Sequence, residues 1–125
     1  MPGITLDAGA LIALDRDDRR VVVLLARARE AAAQVTVPAS ALAQAIRQPD
    51  GQVRLARLVR QPTTDVVGLD RVDATHVGRL LAASGTVDVV DAHVVICARR
   101  AQQQDVSSDP SDLRALDSGI GVIAI

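Results

Sequence analysis

The sequence predicts an α/β fold: a three-layer α/β/α sandwich in which helices cover both faces of a short, mostly parallel sheet of four to five strands. Short runs rich in Val and Ile, typical of buried strands, alternate along the chain with apolar residues at helical spacing. Strands that alternate with helices form parallel sheets, because each helix carries the chain back across one face. A hydrophobic fraction of 49% over 125 residues is enough for one core, so we expect a single domain over residues 1–125.

Turn residues and apolar spacing divide the chain into its predicted elements. Pro38 closes the second strand, Pro62 follows the fourth helix, and Gly85 occupies the position just after the fifth. Ser40 is the expected cap of the third helix, and Thr86 that of the sixth. The predicted strands are residues 4–7, 35–37, 65–69, 105–107 and 121–125, and the predicted helices are residues 10–14, 18–33, 39–47, 52–60, 70–84, 87–100 and 111–117.

The composition excludes several classes of function. The chain has no Lys, which excludes a P-loop and argues against receiver domains and haloacid-dehalogenase-type phosphatases, since all of these need one. It has no Phe, Tyr or Trp, which argues against modules that stack bases on aromatic rings, such as OB-folds and RRMs. A formal net charge of −1 predicts no strong overall attraction to phosphates, so any nucleic-acid contact must use a local Arg surface.

Cysteine content and hydropathy indicate the cellular location that we expect for the chain. Cys97 is the only cysteine, so no disulfide can form within the chain, and a reducing cytoplasm is the expected location. No apolar run reaches the length of a membrane span, so we expect no membrane partner.

The apolar segment 87–100 is predicted as a buried helix that carries two acids, Asp88 and Asp91. Their spacing of three places both carboxylates on one helix face, roughly 5–6 Å apart at Cβ. Like charges at that distance repel, and a divalent cation is one natural compensation. The alternative is that both acids lie in the first turn, where the helix dipole favours anions.

Two more acids follow predicted strands at equivalent topological places: Asp7 after the first strand and Asp109 after the fourth. In a parallel sheet these strand ends lie at one edge, where α/β proteins bind ligands. Asp91 is expected to join them there, with Asp88 and Asp112 close by. Each acid has a structural alternative as a helix cap, most clearly Asp109, which precedes Pro110. If all are caps, the chain is a plain α/β interaction domain.

With these acids in place the sequence resembles the PIN-domain family, and within it the VapC-type toxins of VapBC toxin–antitoxin systems. The resemblance is carried by I-T-L-D-A-G-A-L-I-A-L (4–14), V-P-A-S-A-L-A-Q-A-I-R (37–47), D-V-V-D-A-H-V (88–94) and S-D-P-S-D-L-R-A-L (108–116). These segments span nearly the whole chain in family order. They imply a PIN-like fold and a divalent-metal-dependent endoribonuclease that cuts structured RNA such as tRNA or rRNA.

The resemblance also implies the site. Asp7, Asp91 and Asp109 match the family's catalytic, metal-binding aspartates for Mg²⁺ or Mn²⁺, Asp88 matches an accessory metal-site acid, and Ser107 matches the usual hydroxyl. Asp112 is expected to orient waters or ligands. Gln44 departs from the pattern because it stands where the family has a Glu. A neutral amide should weaken metal binding and cannot act as a base, so we expect reduced activity or, alternatively, a degenerate PIN module that binds RNA or antitoxin without efficient cleavage.

Partners follow from the same resemblance. A small VapB-type antitoxin is expected to lay an apolar segment on the toxin and cover the acidic pocket, and a homodimer is expected. The apolar stretches 21–25 and 53–59 offer surface for such contacts. Basic side chains that are either solvated or positioned to contact RNA phosphates are Arg16, Arg19, Arg47 and Arg54.

Overall fold

The computed structural model describes residues 3–125. The strands are β1 (Ile4–Leu6), β2 (Val35–Pro38), β3 (Thr64–Val67), β4 (Gln104–Ser107) and β5 (Val122–Ala124). The helices are α1 (Ala8–Asp15), α2 (Arg19–Glu30), α3 (Ala39–Ala45), α4 (Val53–Val59), α5 (Arg71–Ser84), α6 (Val89–Ala101) and α7 (Pro110–Leu116), with a 3₁₀ turn at Pro49–Gly51.

The strands form one parallel sheet in the order β3-β2-β1-β4-β5. Helices lie on both of its faces, which confirms the predicted three-layer α/β/α architecture. β1 is central, and β4 pairs directly with it, Thr5 lying opposite Asp105. The carboxyl ends of β1 and β4 therefore lie side by side at one edge of the sheet.

The segment predicted as the buried helix does lie at the centre of the packing. α6 contacts β1, β2 and β4 as well as α3, α5 and α7. Val94 and Val95 are fully buried, as are Leu6 of β1 and Leu11 of α1. This burial fixes α6 against the sheet, with its N-terminus at the edge where β1 and β4 end.

Two predicted caps are wrong. α6 is capped by Asp88 rather than Thr86, since the Asp91 N–H donates to Asp88 Oδ1 at 2.9 Å. Ser40 lies inside α3, which begins after Pro38 without a side-chain cap. The Ser40 hydroxyl instead contacts His93 of α6 at 2.8 Å. A contact between two helices overrode a local preference that the sequence alone suggested.

Within residues 3–125, no single helix is long and apolar enough to cross a membrane, and only α5 and α6 taken together, at an angle of 110°, satisfy the same length and hydropathy test.

Candidate functional site

Five carboxylates meet at the sheet edge where β1 and β4 end. We call Asp7, Asp88, Asp91, Asp109 and Asp112 the acidic cluster. They are close enough to affect one another, since the pKa of Asp91 is raised to about 6 by burial and then by the charges of the other four. The parallel sheet and the N-terminus of α6 thus bring together residues that are up to 105 positions apart in the chain.

Asp7 lies at the floor of the cluster, and its side chain is buried. Its Oδ1 accepts the Ala10 N–H at 2.7 Å, so Asp7 caps α1 while it also belongs to the cluster. Burial raises the pKa of Asp7, and the charge of Asp109 adds to the effect, although a hydrogen bond from the Ser107 hydroxyl opposes it. Asp7 can therefore serve as the cap of α1 and as a member of the acidic cluster at the same time.

Asp88 and Asp91 divide two roles between them. Asp88 is the N-cap of α6, because its side chain accepts the backbone N–H of Asp91 in the first turn of the helix. The Asp91 carboxylate has no hydrogen bond and no ion pair within the described residues, although it is partly buried. The cap explanation therefore accounts for Asp88 but leaves Asp91 as a crowded carboxylate without a partner.

Asp109 precedes α7 at the N-cap position but makes no side-chain cap bond there. Its N–H donates to Ser107 Oγ at 2.9 Å, and its Oδ1 accepts the Ser111 hydroxyl at 3.0 Å. The pKa of Asp112 is raised because its carboxyl shares a hydrogen bond with that of Asp109 and feels its charge. Ser107 therefore connects Asp7 to Asp109 at the base of the cluster.

No cation balances this charge among the described side chains. The ion pairs within residues 3–125 are Arg20–Asp18, Arg54–Asp17, His93–Asp73, Arg99–Asp117 and Arg100–Asp73, and none includes a member of the acidic cluster. Several carboxylate oxygens at one edge, partly desolvated and unpaired, form the hard-oxygen donor set that Mg²⁺ and Mn²⁺ prefer. The residues present fit such an ion.

The other predicted site residues lie further out. Gln44 is exposed in the last turn of α3 and makes no hydrogen bond within the described part of the chain. Arg16 ends α1 at the opposite end from Asp7, and Arg19 begins α2. Arg47 is exposed just beyond α3, its guanidinium near the Ile46 carbonyl. Arg54 of α4 pairs with Asp17 at 3.4 Å.

Asp105 is a buried acid that the sequence reading treated only as part of a strand. It is fully buried, and neither carboxylate oxygen has a hydrogen-bond partner. Burial, together with the charges of Asp7 and Asp91, raises its pKa to about 9, so it carries a proton at neutral pH. Strand alternation was the available signal, because Asp105 must face the same side of β4 as Ser107.

A groove lies between α2 and α4, away from the acidic cluster. It has a volume of about 470 Å³. Leu14, Val22, Leu25 and Leu58 supply apolar surface, and charged side chains line it as well, namely Arg29, Arg54, Arg57, Asp17 and Glu30. The two stretches expected to offer apolar surface, 21–25 and 53–59, both contribute to this groove.

If the acidic cluster holds Mn²⁺, its affinity should weaken by roughly tenfold for each pH unit below pH 6, because the cation would have to displace the proton that Asp91 holds there. Above pH 7 the affinity should level off. Calorimetric titration with Mn²⁺ from pH 5 to pH 8 measures this, and an affinity that stays constant across that range would contradict it.

Neither a protein-family model nor a curated protein matches the sequence. Solved structures do match the fold. The chain is similar to FitAcB from Neisseria gonorrhoeae, with 16% identity over 96% of each chain and a TM-score of 0.64. It is similar to VapBC2 from Rickettsia felis bound to a DNA fragment from its promoter, with 11% identity over 98% of each chain and a TM-score of 0.67. It is also similar to FitAB bound to an IR36 DNA fragment, with 15% identity over 97% of this chain and 94% of that one, and a TM-score of 0.65. At these identities the likeness shows a shared fold, that of chains found in the VapBC and FitAB complexes.

Proposed function

We propose that this protein is a divalent-metal-dependent endoribonuclease toxin of the VapC type, which cleaves structured RNA such as tRNA or rRNA in the cytoplasm. The observation that carries the proposal is the acidic cluster: carboxylates gathered at the carboxyl edge of a parallel sheet, with Asp91 unpaired and its pKa raised to about 6. A shared fold with VapBC and FitAB chains supports it. Holding like charges together is unfavourable unless a cation compensates for them.

Asp7, Asp91 and Asp109, with Asp88 beside them, are the residues that would hold Mg²⁺ or Mn²⁺. When bound, such an ion lowers the pKa of a water molecule and neutralises charge on the phosphate under attack. The chain itself contributes orientation. The Ser107 hydroxyl accepts the backbone N–H of Asp109 and hydrogen-bonds Asp7, so the carboxylates that follow β1 and β4 keep their spacing.

Asp88 and Asp112 act around this core. Asp88 holds the first turn of α6 in place through its cap bond, which sets the position of the Asp91 backbone. Asp112 shares a hydrogen bond with Asp109 and so orients that carboxyl group. We further propose Arg16, Arg19, Arg47 and Arg54 as contacts for RNA phosphates, since all four side chains are exposed.

The second candidate is a PIN module that binds RNA or antitoxin without efficient cleavage. Its support is Gln44, a neutral amide at a position where the PIN-domain family, which the sequence resembles, has a carboxylate. The side chain is exposed and makes no hydrogen bond within residues 3–125, so nothing observed compensates for the missing charge. One charge fewer lowers the affinity for a hard cation.

Cleavage of total tRNA and rRNA by the purified protein tests the two candidates. We expect cutting with Mg²⁺ or Mn²⁺, none with EDTA, none by Asp91→Asn, and faster cutting by Gln44→Glu. If only Gln44→Glu cuts, the native chain is a binding module. If neither protein cuts and neither binds Mn²⁺, the nuclease proposal fails.

We propose that a small VapB-type antitoxin lays its apolar segment in the groove between α2 and α4 and reaches from there to cover the acidic cluster. The VapBC and FitAB names of the similar structures support such a partner. The apolar side chains of the groove suit an amphipathic segment, and the three arginines that line it favour acidic residues beside the apolar ones.

A charge placed in the groove should abolish antitoxin binding. We expect Leu25→Asp to lose the small partner that the wild-type protein retains when purified from its own organism, because a carboxylate at this position would take the place of apolar contact area and would repel the acidic residues of the partner. Val72→Asp, a matched change at an apolar side chain outside this groove that is 58% exposed, should retain it. Equal retention by both variants would place the antitoxin elsewhere.

We also propose a homodimer. Apolar side chains remain exposed on α4 and just after α3, where Ile46, Val53 and Val59 are each more than a third accessible. Ile46 and Val59 lie along a second groove of about 340 Å³ that Leu42 and Leu55 help to line. Sedimentation equilibrium of the purified chain measures the dimer.

A further inference from the structure

Helix α1 approaches the loop between β4 and α7 very closely at Gly9, in the first turn of the helix. A Cβ atom at position 9 would overlap the Ser108 hydroxyl oxygen. It would also lie 3.3 Å from Ser108 Cβ and 3.4 Å from Asp7 Oδ1. Only a residue without a side chain therefore fits between α1 and the loop in this arrangement.

The conformation of the helix gives no reason for a glycine at this position. Gly9 does not have a positive φ, so any residue could adopt its backbone conformation. Alanine favours a helix more strongly than glycine does. Gly78 of α5 shows the contrast, because a Cβ atom there would meet nothing within 4 Å. What a side chain at position 9 would disturb is the close approach to Ser108.

The two sides of this contact carry two members of the acidic cluster. Asp7 directly precedes α1, and its Oδ1 accepts the Ala10 N–H at 2.7 Å, which fixes the carboxylate to the first turn. Asp109 directly follows Ser108, and its N–H donates to Ser107 Oγ at 2.9 Å. Ser107 also hydrogen-bonds Asp7. The distance between α1 and the loop therefore sets the separation between Asp7 and Asp109.

A methyl group at position 9 would push the loop away from α1. The Ser108 hydroxyl can turn aside, because this side chain is exposed. Its Cβ atom cannot, because it is bonded to the backbone of the loop, and at 3.3 Å it must give way by a few tenths of an ångström. Asp109 is the next residue and moves with the loop, whereas the cap bond holds Asp7 in place.

A displacement of this size is comparable to the difference in size between divalent cations. Oxygen ligands lie about 2.0–2.1 Å from Mg²⁺, which demands nearly ideal octahedral geometry. They lie about 2.3–2.6 Å from Ca²⁺, which tolerates irregular geometry. Carboxylates that are held close together therefore favour Mg²⁺, and the same carboxylates moved apart favour Ca²⁺.

We propose that Gly9 and Ser108 form a spacing contact that holds Asp7 and Asp109 close together and so makes the acidic cluster selective for a small divalent cation. The inference rests on the proposed function, since it requires the cluster to bind a metal ion. Gly9 and Ser108 are positioning residues, because they act through the two carboxylates.

Calorimetric titration with Mg²⁺ and with Ca²⁺ tests the spacing contact. We expect Gly9→Ala to weaken Mg²⁺ binding by about tenfold, the lower end of the loss that is usual for residues that orient metal ligands. Its affinity for Ca²⁺ should change by less than about threefold, so the preference for Mg²⁺ falls. A merely structural role would lower the melting temperature and leave the ratio of the two affinities unchanged, so thermal unfolding is measured alongside.

Shortening Ser108 should remove the effect. In the Ser108→Gly background both side-chain atoms that a Cβ at position 9 would approach are absent, so Gly9→Ala should cost less than about twofold in Mg²⁺ affinity. In the Ser108→Ala background only the contact with Cβ remains, and the loss should be intermediate. If Gly9→Ala alone does not fold, the comparison within the Ser108→Ala background carries the test.

Gly78→Ala is the matched control for Gly9→Ala. It makes the same change inside a helix, at a position where the new methyl group meets nothing. The affinities for both cations should therefore stay as they are in the native protein.

The possible results are distinguishable. A ratio of Mg²⁺ to Ca²⁺ affinity that Gly9→Ala leaves unchanged overturns the spacing role and leaves the metal site intact. An equal loss of Mg²⁺ affinity in the native and Ser108→Gly backgrounds also overturns it, because the contact with Ser108 is then not the cause. If the native protein binds none of Mg²⁺, Mn²⁺ and Ca²⁺, the proposed function fails together with this inference.

Discussion

Replacing Asp105 with valine is expected to raise the free energy of unfolding at pH 7 by roughly 3–4 kcal/mol, or the melting temperature by about 10 °C. The carboxyl group is fully buried in β4, and neither oxygen has a hydrogen-bond partner. It must take up a proton to be accommodated, since its pKa rises from 3.8 to about 9 on folding. Valine has a similar size, favours strands and removes the penalty.

The stability that Asp105→Val adds should depend on pH, and the raised pKa of Asp105 fixes the direction of that dependence. Between pH 4 and pH 9 the folded protein keeps the Asp105 proton that the unfolded chain has lost, so this residue makes stability fall as pH rises. Below pH 4 both states are protonated and the penalty disappears. The advantage of Asp105→Val should therefore grow from pH 4 towards pH 9, and urea unfolding at several pH values measures it.

Thr36→Val is the matched control for Asp105→Val. Thr36 is buried in β2, its hydroxyl has no partner, and it cannot titrate. Its replacement should give a smaller gain of about 1–3 kcal/mol that is the same at every pH. An Asp105→Val protein that gains no stability and also loses Mn²⁺ binding would contradict the prediction and make Asp105 part of the metal site.

The sheet and the meeting of the acids follow from local patterns because both depend on chain direction. Alternating strands and helices imply a parallel sheet, and in such a sheet residues just after different strands must lie at one edge. Asp7 and Asp109 could be placed together on that ground alone. Asp91 could be placed with them because its helix comes directly before β4 in the chain.

The contacts between helices could not be predicted in the same way. Whether Ser40 caps α3 or contacts His93 depends on how α3 packs on α6, which no spacing within either segment encodes. Arg54 likewise pairs with Asp17 across the groove between α2 and α4. The burial of Asp105 required the strand order, because β4 becomes an inner strand only when β5 pairs on its far side.

Asp91→Asn is expected to have opposite effects on stability and on activity. In the metal-free protein it should raise the free energy of unfolding at pH 8 by about 1–3 kcal/mol, because an amide avoids both the burial of a charge and the repulsion from Asp88, Asp112, Asp7 and Asp109. RNA cleavage and Mn²⁺ binding should fall by more than the ~10–100-fold that loss of a residue supporting a metal ligand costs.

The sign again follows from the raised pKa. Asp91 titrates near pH 6 in the folded protein and near pH 3.8 in the unfolded chain, so the native residue loses stability as pH rises between these values. The gain from Asp91→Asn should be absent below pH 4 and complete above pH 6. Asp50→Asn, a change at an exposed acid of the 3₁₀ turn, should alter neither stability nor cleavage.

Mn²⁺ should reverse the order of stability of the two proteins. At a concentration of about 100 times the dissociation constant, a cation that binds only the folded state adds roughly 2.7 kcal/mol to the native protein and little to Asp91→Asn. A site built to hold a metal must therefore be less stable than its variant without the ion and more stable with it. If the acids were only helix caps, Mn²⁺ would leave the order unchanged, so thermal unfolding with and without Mn²⁺ separates a metal centre from a set of capping residues.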